Sequence, residues 1–165
     1  MPVTLPPGSI VIRHVPYPAV FIPPTPCVAT DLAASVTGMG PYIGMGTSEF
    51  IVTIRSTEPC QLEGYPVLVF SSSSGPLATD VQDGGIPGSY APPGPVAVGT
   101  GAPASFLLFF AGNLNDPGTP ATSLSFGPPG TSASIPVILP SQAFALGSET
   151  AVTPFEQGNG VDQYA

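Results

Sequence analysis

The side chains able to do chemistry in this sequence are few: two cysteines, one histidine and ten carboxylates. Cys27 and Cys60 would each need a general base to act as a nucleophile. The single histidine, His14, stands beside Arg13 in a proline-rich segment. A structural zinc site takes about four ligands from cysteine, histidine or carboxylate side chains, and two cysteines with one histidine fall short. We therefore expect no cysteine nucleophile, no zinc site and no other cofactor.

Two turn sequences rich in oxygen ligands are the candidates for a calcium site. They are TDVQDGG at residues 79–85 and GNLNDPG at residues 112–118. Calcium prefers oxygen ligands, but aspartate, asparagine and glycine also dominate plain turns for backbone reasons. Both interpretations stay open, and the weak calcium candidates are Asp80, Asp83, Asn113, Asn115 and Asp116. The serine-nucleophile motif Gly-x-Ser-x-Gly does not occur, so we expect a non-catalytic protein.

The elements that position these residues are predicted to be strands. Proline and glycine, with 24 and 20 residues, mark turns throughout the chain. A disordered chain is poor in apolar residues and rich in charge, whereas here 42% of residues are hydrophobic and 7% are charged. No long stretch free of proline places apolar residues at helical spacing. The composition therefore predicts an all-β fold.

Alternating apolar residues between turn clusters predict about seven strands. In EFIVTIRS, Phe50, Val52 and Ile54 point to one side, as in a strand with one solvated face. Seven short strands separated by turns favour two packed antiparallel sheets. The predicted strands are 32–37, 49–56, 65–71, 95–98, 104–111, 123–126 and 134–139.

Two flanking arms are predicted outside this domain, which we place at residues 27–140. Residues 1–26 form a proline-rich arm with one strand at 9–15, and residues 141–165 form a C-terminal arm. Extended proline-rich segments lose little entropy on docking, and a strand adds to the edge of a neighbour's sheet. We expect the arms to lie on partner subunits, with wrapping around their own domain as the alternative. The expected partner-contact residues are Ile10, Ile12, Val15, Phe21, Phe144 and Phe155.

The best-organised stretch of the chain is PCQLEGYPVLVF at residues 59–70. Gly64 is expected to adopt a backbone angle that other residues resist. The stretch resembles the Cys-Thr-Leu-x-Gly-Tyr-Pro signature of an actinobacterial domain family of unknown function, with Gln61 in place of the threonine. That family occurs mostly in secreted proteins and lipoproteins. The resemblance covers roughly residues 27–139 and implies an immunoglobulin-like β-sandwich with no established activity.

A disulfide between Cys27 and Cys60 is expected because both cysteines begin elements of the predicted core. Two free thiols are the alternative. Closing a loop of about 33 residues would stabilise the fold by roughly 3–4 kcal/mol in the chain-entropy model. Such a bond forms in an oxidising compartment.

The charge distribution restricts the partners of this protein. Ten acidic residues stand against two basic ones, Arg13 and Arg55, whereas nucleic-acid binding and docking to anionic lipid need clustered cations. The longest apolar run, at 104–112, is too short to span a bilayer. We expect protein partners, including further copies of this chain, and neither nucleic acid nor membrane insertion. Residues 1–26 do not fit a signal peptide, so either export does not use this route or a signal has been removed.

These features favour a non-catalytic structural or interaction protein. The arms favour a surface, decoration-type component of a larger assembly, such as an actinobacteriophage virion. The alternative is a secreted or cell-envelope binding module of an actinobacterium. A second alternative is a calcium-dependent adhesion domain. The expected location is the virion surface, or the extracellular space or cell envelope for the alternatives.

Overall fold

The structure is a computed structural model that describes residues 21–42, 47–77, 81–84, 93–111, 119–132, 134–139, 144–146 and 149–158. These residues form fourteen strands and one short 3₁₀ turn, Ala29–Asp31, with no α-helix among them, so the predicted all-β fold is confirmed. The strands are β1 (Leu32–Tyr42), β2 (Thr47–Ser56), β3 (Cys60–Glu63), β4 (Val67–Ser72), β5 (Gly75–Leu77), β6 (Val81–Asp83), β7 (Pro95–Val98), β8 (Ala104–Ala111), β9 (Thr119–Ala121), β10 (Ser123–Gly127), β11 (Ile135–Ile138), β12 (Phe144–Leu146), β13 (Glu149–Val152) and β14 (Glu156–Gln157).

The described strands assemble into one large curled sheet and two small ones. The large sheet has ten strands in the order β5-β4-β10-β11-β1-β2-β8-β13-β6, and β14 also pairs with β8. Within the described residues, β3 pairs with β7 and β9 pairs with β12 as separate two-stranded sheets. This architecture differs from the expected antiparallel sandwich of about seven strands.

The parallel pairing of β1 with β11 explains the difference. Strands β4, β10 and β11 pair in antiparallel fashion, and so do β1, β2 and β8. Ala34 and Ser35 of β1 lie beside Val137 and Ile138 of β11 in parallel register. This pair joins two groups of strands into a single mixed sheet that curls around the core, so they are not two separate sheets. A second parallel pair joins β13 to β6.

The core lies on the face of the large sheet that carries the even-numbered residues of β2 and β8. Val52, Ile54 and Leu108 are fully buried there. Phe106 packs against Phe126 of β10, with 5.7 Å between ring centroids. The small β3–β7 sheet contributes further buried residues to the same cluster, namely Cys60, Leu62, Val96 and Val98. Alternating apolar side chains thus face one common core, as the pattern in β2 predicts.

Residues 149–158 belong to the large sheet, although the sequence interpretation placed them in a C-terminal arm. Strand β13 pairs with β8 and with β6, and β14 pairs with β8. Phe155 is 2% exposed, and its ring centroid lies 6.0 Å from that of Phe106 and 6.2 Å from that of Phe126. Phe155 was expected to contact a partner; in the structure it is a core residue, because an aromatic ring is most stable when it is removed from water.

A bulge between β13 and β14 sets the direction of Phe155. Val152 pairs with Leu108 and Glu156 pairs with Ser105, so one strand advances four residues while β8 advances three. Thr153 closes the irregularity: its backbone N–H donates to the Leu107 carbonyl at 3.0 Å, and its Oγ1 accepts from the Leu107 N–H at 2.8 Å. The extra residue turns the Phe155 ring into the core and leaves Glu156 on the opposite face.

Candidate functional site

The candidate site is the signature stretch at residues 60–66 together with the chain segments that it contacts. Cys60 forms a disulfide with Cys27, with an S–S distance of 2.03 Å, and this confirms the predicted pairing. The backbone around the bridge is also paired: the Cys27 N–H donates to the Gln61 carbonyl at 3.1 Å, and the Gln61 N–H donates to Thr25 at 2.8 Å. The segment before β1 is thereby fixed to the outer edge of β3, and neither sulfur is left as a free thiol.

Gly64 occupies the tightest point of the signature. Its φ of +91° confirms the predicted unusual backbone angle. A Cβ atom at this position would lie 2.9 Å from Cγ of Pro129. The Gly64 carbonyl accepts a hydrogen bond from the N–H of Phe155 at 2.9 Å. Glycine is therefore required both for the turn and for the close packing, and the turn holds the C-terminal segment in place.

Two further signature residues, Leu62 and Tyr65, pack against the core. Leu62 is 1% exposed, and the half-buried Tyr65 packs against the core cluster. A Cβ atom on Gly84 would lie 3.3 Å from the Tyr65 hydroxyl, and the Gly84 N–H donates to the Val152 carbonyl at 2.8 Å. The signature thus positions β13, β14 and the end of β6 around one turn.

The residues Glu156–Gly158, which we call the clasp, connect the large sheet to the small β3–β7 sheet. The Gln157 side chain accepts from the Ala97 N–H at 2.9 Å and donates to the Ala97 carbonyl at 2.8 Å and to Pro103 at 3.1 Å. The Gly158 N–H donates to the same Pro103 carbonyl at 2.9 Å. Gln157 therefore bonds to Ala97 as the edge of another strand would.

Glu156 is a titratable residue whose carboxyl is buried where the clasp meets β8. Burial away from water raises the pKa of its carboxyl from 4.5 to about 7, since desolvation disfavours the charged form. Its side chain is 9% exposed. Glu156 pairs in register with Ser105, and neither Glu156 Oε1 nor Ser105 Oγ has a hydrogen-bond partner among the described residues.

A row of hydroxyl side chains extends from Glu156 across the outer face of the sheet. Ser35, Thr53 and Ser105 stand in register on β1, β2 and β8, and Thr53 Oγ1 lies 2.7 Å from Thr37 Oγ1. A carboxyl that titrates near neutrality beside a serine is a pattern found in acid–base chemistry. Here Ser105 is 1% exposed, so its hydroxyl lies beneath the surface of the described structure.

The sequence interpretation missed Glu156 because its burial depends on distant parts of the chain. In the local pattern TPFEQ, an acid next to a buried phenylalanine is expected on the solvated side of a strand. The outer face at Thr53, Ser105 and Leu107 is nevertheless buried, and local alternation does not reveal this. An isolated acid within an apolar C-terminal stretch was the available signal.

The structure describes one of the calcium candidates, Asp83. Asp83 ends β6 and is exposed, whereas Asp80, Asn113, Asn115 and Asp116 lie outside the described residues. In the part of the chain that the structure describes, no three His, Cys, Asp or Glu residues form a group that could hold a metal ion. A calcium site stays a prediction that concerns the two turn sequences.

The expected partner-contact residues have different environments. Phe21 is 83% exposed, Phe144 begins β12 opposite Ala121 of β9, and Ile10, Ile12 and Val15 lie outside the described residues. Other exposed apolar side chains are Val28 and Ile138, with 55% and 69% exposure. Phe21 is thus a member of the expected contact set whose side chain is exposed in the described structure.

Comparisons with known proteins give one match. A family model described as a domain of unknown function (DUF4232) matches residues 27–156, a range that starts at the disulfide and ends at Glu156. No curated protein and no solved structure matches the chain. Among the described residues, no helix has the length and apolar character needed to cross a membrane.

Proposed function

We propose that this chain, which belongs to the DUF4232 family, is a non-catalytic interaction domain that works in an oxidising compartment as a secreted or cell-envelope binding module. The observation that carries the proposal is the disulfide between Cys27 and Cys60. Disulfides persist in extracellular and envelope compartments and are rare where thiols are kept reduced. The resemblance to domains of secreted actinobacterial proteins and lipoproteins points in the same direction.

The roles of the signature residues support the non-catalytic part of the proposal. In an enzyme, the most specific sequence motif supplies nucleophiles, acids or ligands to a cleft. In this chain the signature supplies a disulfide, a buried leucine and a glycine at positive φ. These are the features of a turn built for stability, and a domain of this kind acts through its surface.

A second candidate function is a structural component of a larger assembly, such as the surface of an actinobacteriophage virion. The position of Phe21 favours it: 83% of this side chain is exposed, and Phe21 precedes the disulfide-bonded Cys27 in the chain. Aromatic residues are enriched where proteins contact one another. Residues 149–158, by contrast, are occupied in their own sheet and offer no comparable arm.

The compartment is tested by measuring the redox state of the cysteines in the cells that make the protein. Cells are lysed into an alkylating reagent, and the mass of the chain reports whether Cys27 and Cys60 are bonded. The proposal expects full oxidation without added oxidant. A chain recovered mainly as the doubly alkylated dithiol would contradict it.

The two candidate functions are separated by photo-crosslinking from position 21. A photoreactive residue replaces Phe21 in the whole chain, and replacement of the exposed Ser73 provides the control. Crosslinks from position 21 to further copies of this chain or to a particle subunit, absent at position 73, favour the assembly component. Crosslinks to a single envelope or extracellular partner favour the binding module, and equal labelling from both positions contradicts a contact at Phe21.

A further inference from the structure

Glu156 of the clasp is a titratable residue in a buried position. Glu156 is 9% exposed and its Oε1 has no hydrogen-bond partner among the described residues. Ser105 is the neighbour of Glu156 in register on β8, and its Oγ is likewise buried and has no hydrogen-bond partner among the described residues. An ionised carboxylate is costly to bury without a donor or a counter-charge. The closed clasp therefore accommodates a neutral Glu156 much better than a charged one.

No described charge compensates Glu156 from the elements packed around this segment. The turn bonded to Phe155 carries Glu63 and Tyr65, strand β6 ends at Asp83, and β2 carries Arg55. Strands β7 and β8 contribute Ala97, Ala104 and Ser105 at the contact. Of the charged groups, Glu63, Asp83 and Arg55 are exposed, and burial alone accounts for the raised pKa of Glu156.

The chain is anchored at Phe155, immediately before the clasp. Phe155 is held in the aromatic cluster and its N–H donates to Gly64. Beyond it, β14 pairs through Glu156 and Gln157, and Gly158 donates to Pro103. Within the described residues, the contacts that opening breaks are those of residues 156–158, while Phe155 keeps its place in the core.

We propose that the clasp is a pH-dependent fastener, which is closed while Glu156 is protonated and opens as Glu156 ionises, exposing the backbone of Ala97 and Ala104. An exposed strand edge presents unpaired N–H and C=O groups that another strand can bind. The fastener acts on the link between the large sheet and the β3–β7 sheet, and it operates whichever partner the domain has.

Hydrogen exchange at the Ala97 amide tests the fastener directly, because this N–H donates to Gln157 Oε1 in the closed clasp. Exchange is measured on the whole chain by NMR at pH 5 and pH 7 and corrected for the intrinsic rate. With a carboxyl pKa of 4.5 when open and about 7 when closed, protection of Ala97 falls by roughly 40-fold between these pH values. The Gln61 amide, bonded to Thr25 on the far edge of β3, keeps its protection.

Two variants and one titration complete the test. Glu156→Gln preserves the shape without a titrating group, so Ala97 protection becomes independent of pH. Glu63→Gln, at an exposed position of β3, leaves the 40-fold fall unchanged. In the wild-type chain the Glu156 carboxyl carbon shift titrates near pH 7. Three results would each overturn the proposal: Ala97 protection that does not change with pH in the wild type, the same fall in Glu156→Gln, or a Glu156 midpoint near pH 4.5. The last result would mean that another donor satisfies Glu156.

Discussion

The side-chain amide of Gln157 pairs with both backbone groups of Ala97, with N···O distances of 2.9 Å and 2.8 Å. Ala97 lies in the small β3–β7 sheet, whereas Gln157 belongs to the last described strand of the large sheet. The Gln157 side chain therefore bonds to the edge of β7 in the way that the backbone of a neighbouring strand would. It links the two sheets at a position where Ala97 is 3% exposed, so water is a poor substitute for the amide.

Replacement of Gln157 by alanine is expected to destabilise the fold by about 1–3 kcal/mol, because it leaves the buried Ala97 N–H without an acceptor. Urea unfolding of the variant and the wild type measures the change in the free energy of unfolding. Gln82→Ala, at an exposed position of β6, is the control and should change it by less than about 0.5 kcal/mol. Equal effects of the two variants would show that the Ala97 bonds contribute nothing.

Phe155 and Phe21 provide a matched pair of substitutions. Both were expected to contact partners, but Phe155 is 2% exposed and Phe21 is 83% exposed. Phe155→Ala should cost about 3–5 kcal/mol because it opens a cavity in the aromatic cluster, whereas Phe21→Ala should stay within about 0.5 kcal/mol. Chemical denaturation of both variants compares them, and a small loss at Phe155 would be inconsistent with its position in the core.

Gly64→Ala should destabilise the chain by about 1–3 kcal/mol. The substitution strains a backbone at φ +91° and brings Cβ within 2.9 Å of Pro129 Cγ. Gly101→Ala is the control, because a Cβ atom added at Gly101 would have nothing within 4 Å. Thermal unfolding monitored by circular dichroism should show a lower midpoint temperature for Gly64→Ala and a midpoint close to wild type for Gly101→Ala. The reverse order would argue against the proposed role of the turn.

The pH dependence of global stability follows from the raised pKa of Glu156, from 4.5 to about 7. Because the folded pKa exceeds the unfolded one, this contribution is fully present below pH 4.5 and is lost as the pH rises through 7. The loss amounts to roughly 3 kcal/mol at most. Glu156→Gln removes this dependence, so the difference between variant and wild type should grow from pH 4.5 to 7. Urea midpoints across that range measure it, and a constant difference would contradict the assignment.

Much of the fold could be predicted because local patterns determine those strands that lie between clear turn sequences. Strands β7 and β8 have the predicted bounds, since each apolar run lies between proline and glycine turns. Strand β3 is absent from the predicted strands, although Cys60 and Leu62 alternate with polar residues as a strand requires. The three-residue strands are too short to show a period.

The parts that could not be predicted depend on long-range pairing. The parallel register of Ala34 with Val137 joins segments about a hundred residues apart, and local alternation does not specify a partner strand. The same holds for Phe155, whose apolar character fits either a core or a contact surface. Of the site, the disulfide and the Gly64 turn were accessible from the sequence, whereas the buried Glu156 and the Gln157–Ala97 pair required the fold.

The central claim is that the signature turn and the C-terminal strands form one structural unit with the rest of the domain. Its most direct test compares the chain ending at residue 158 with the chain ending at residue 148 by chemical denaturation. The longer chain keeps β13 and β14 and should unfold in one cooperative transition. The shorter chain lacks Val152 and Phe155, which are buried in the core, and should show no cooperative transition. An unchanged midpoint in the shorter chain would contradict the account.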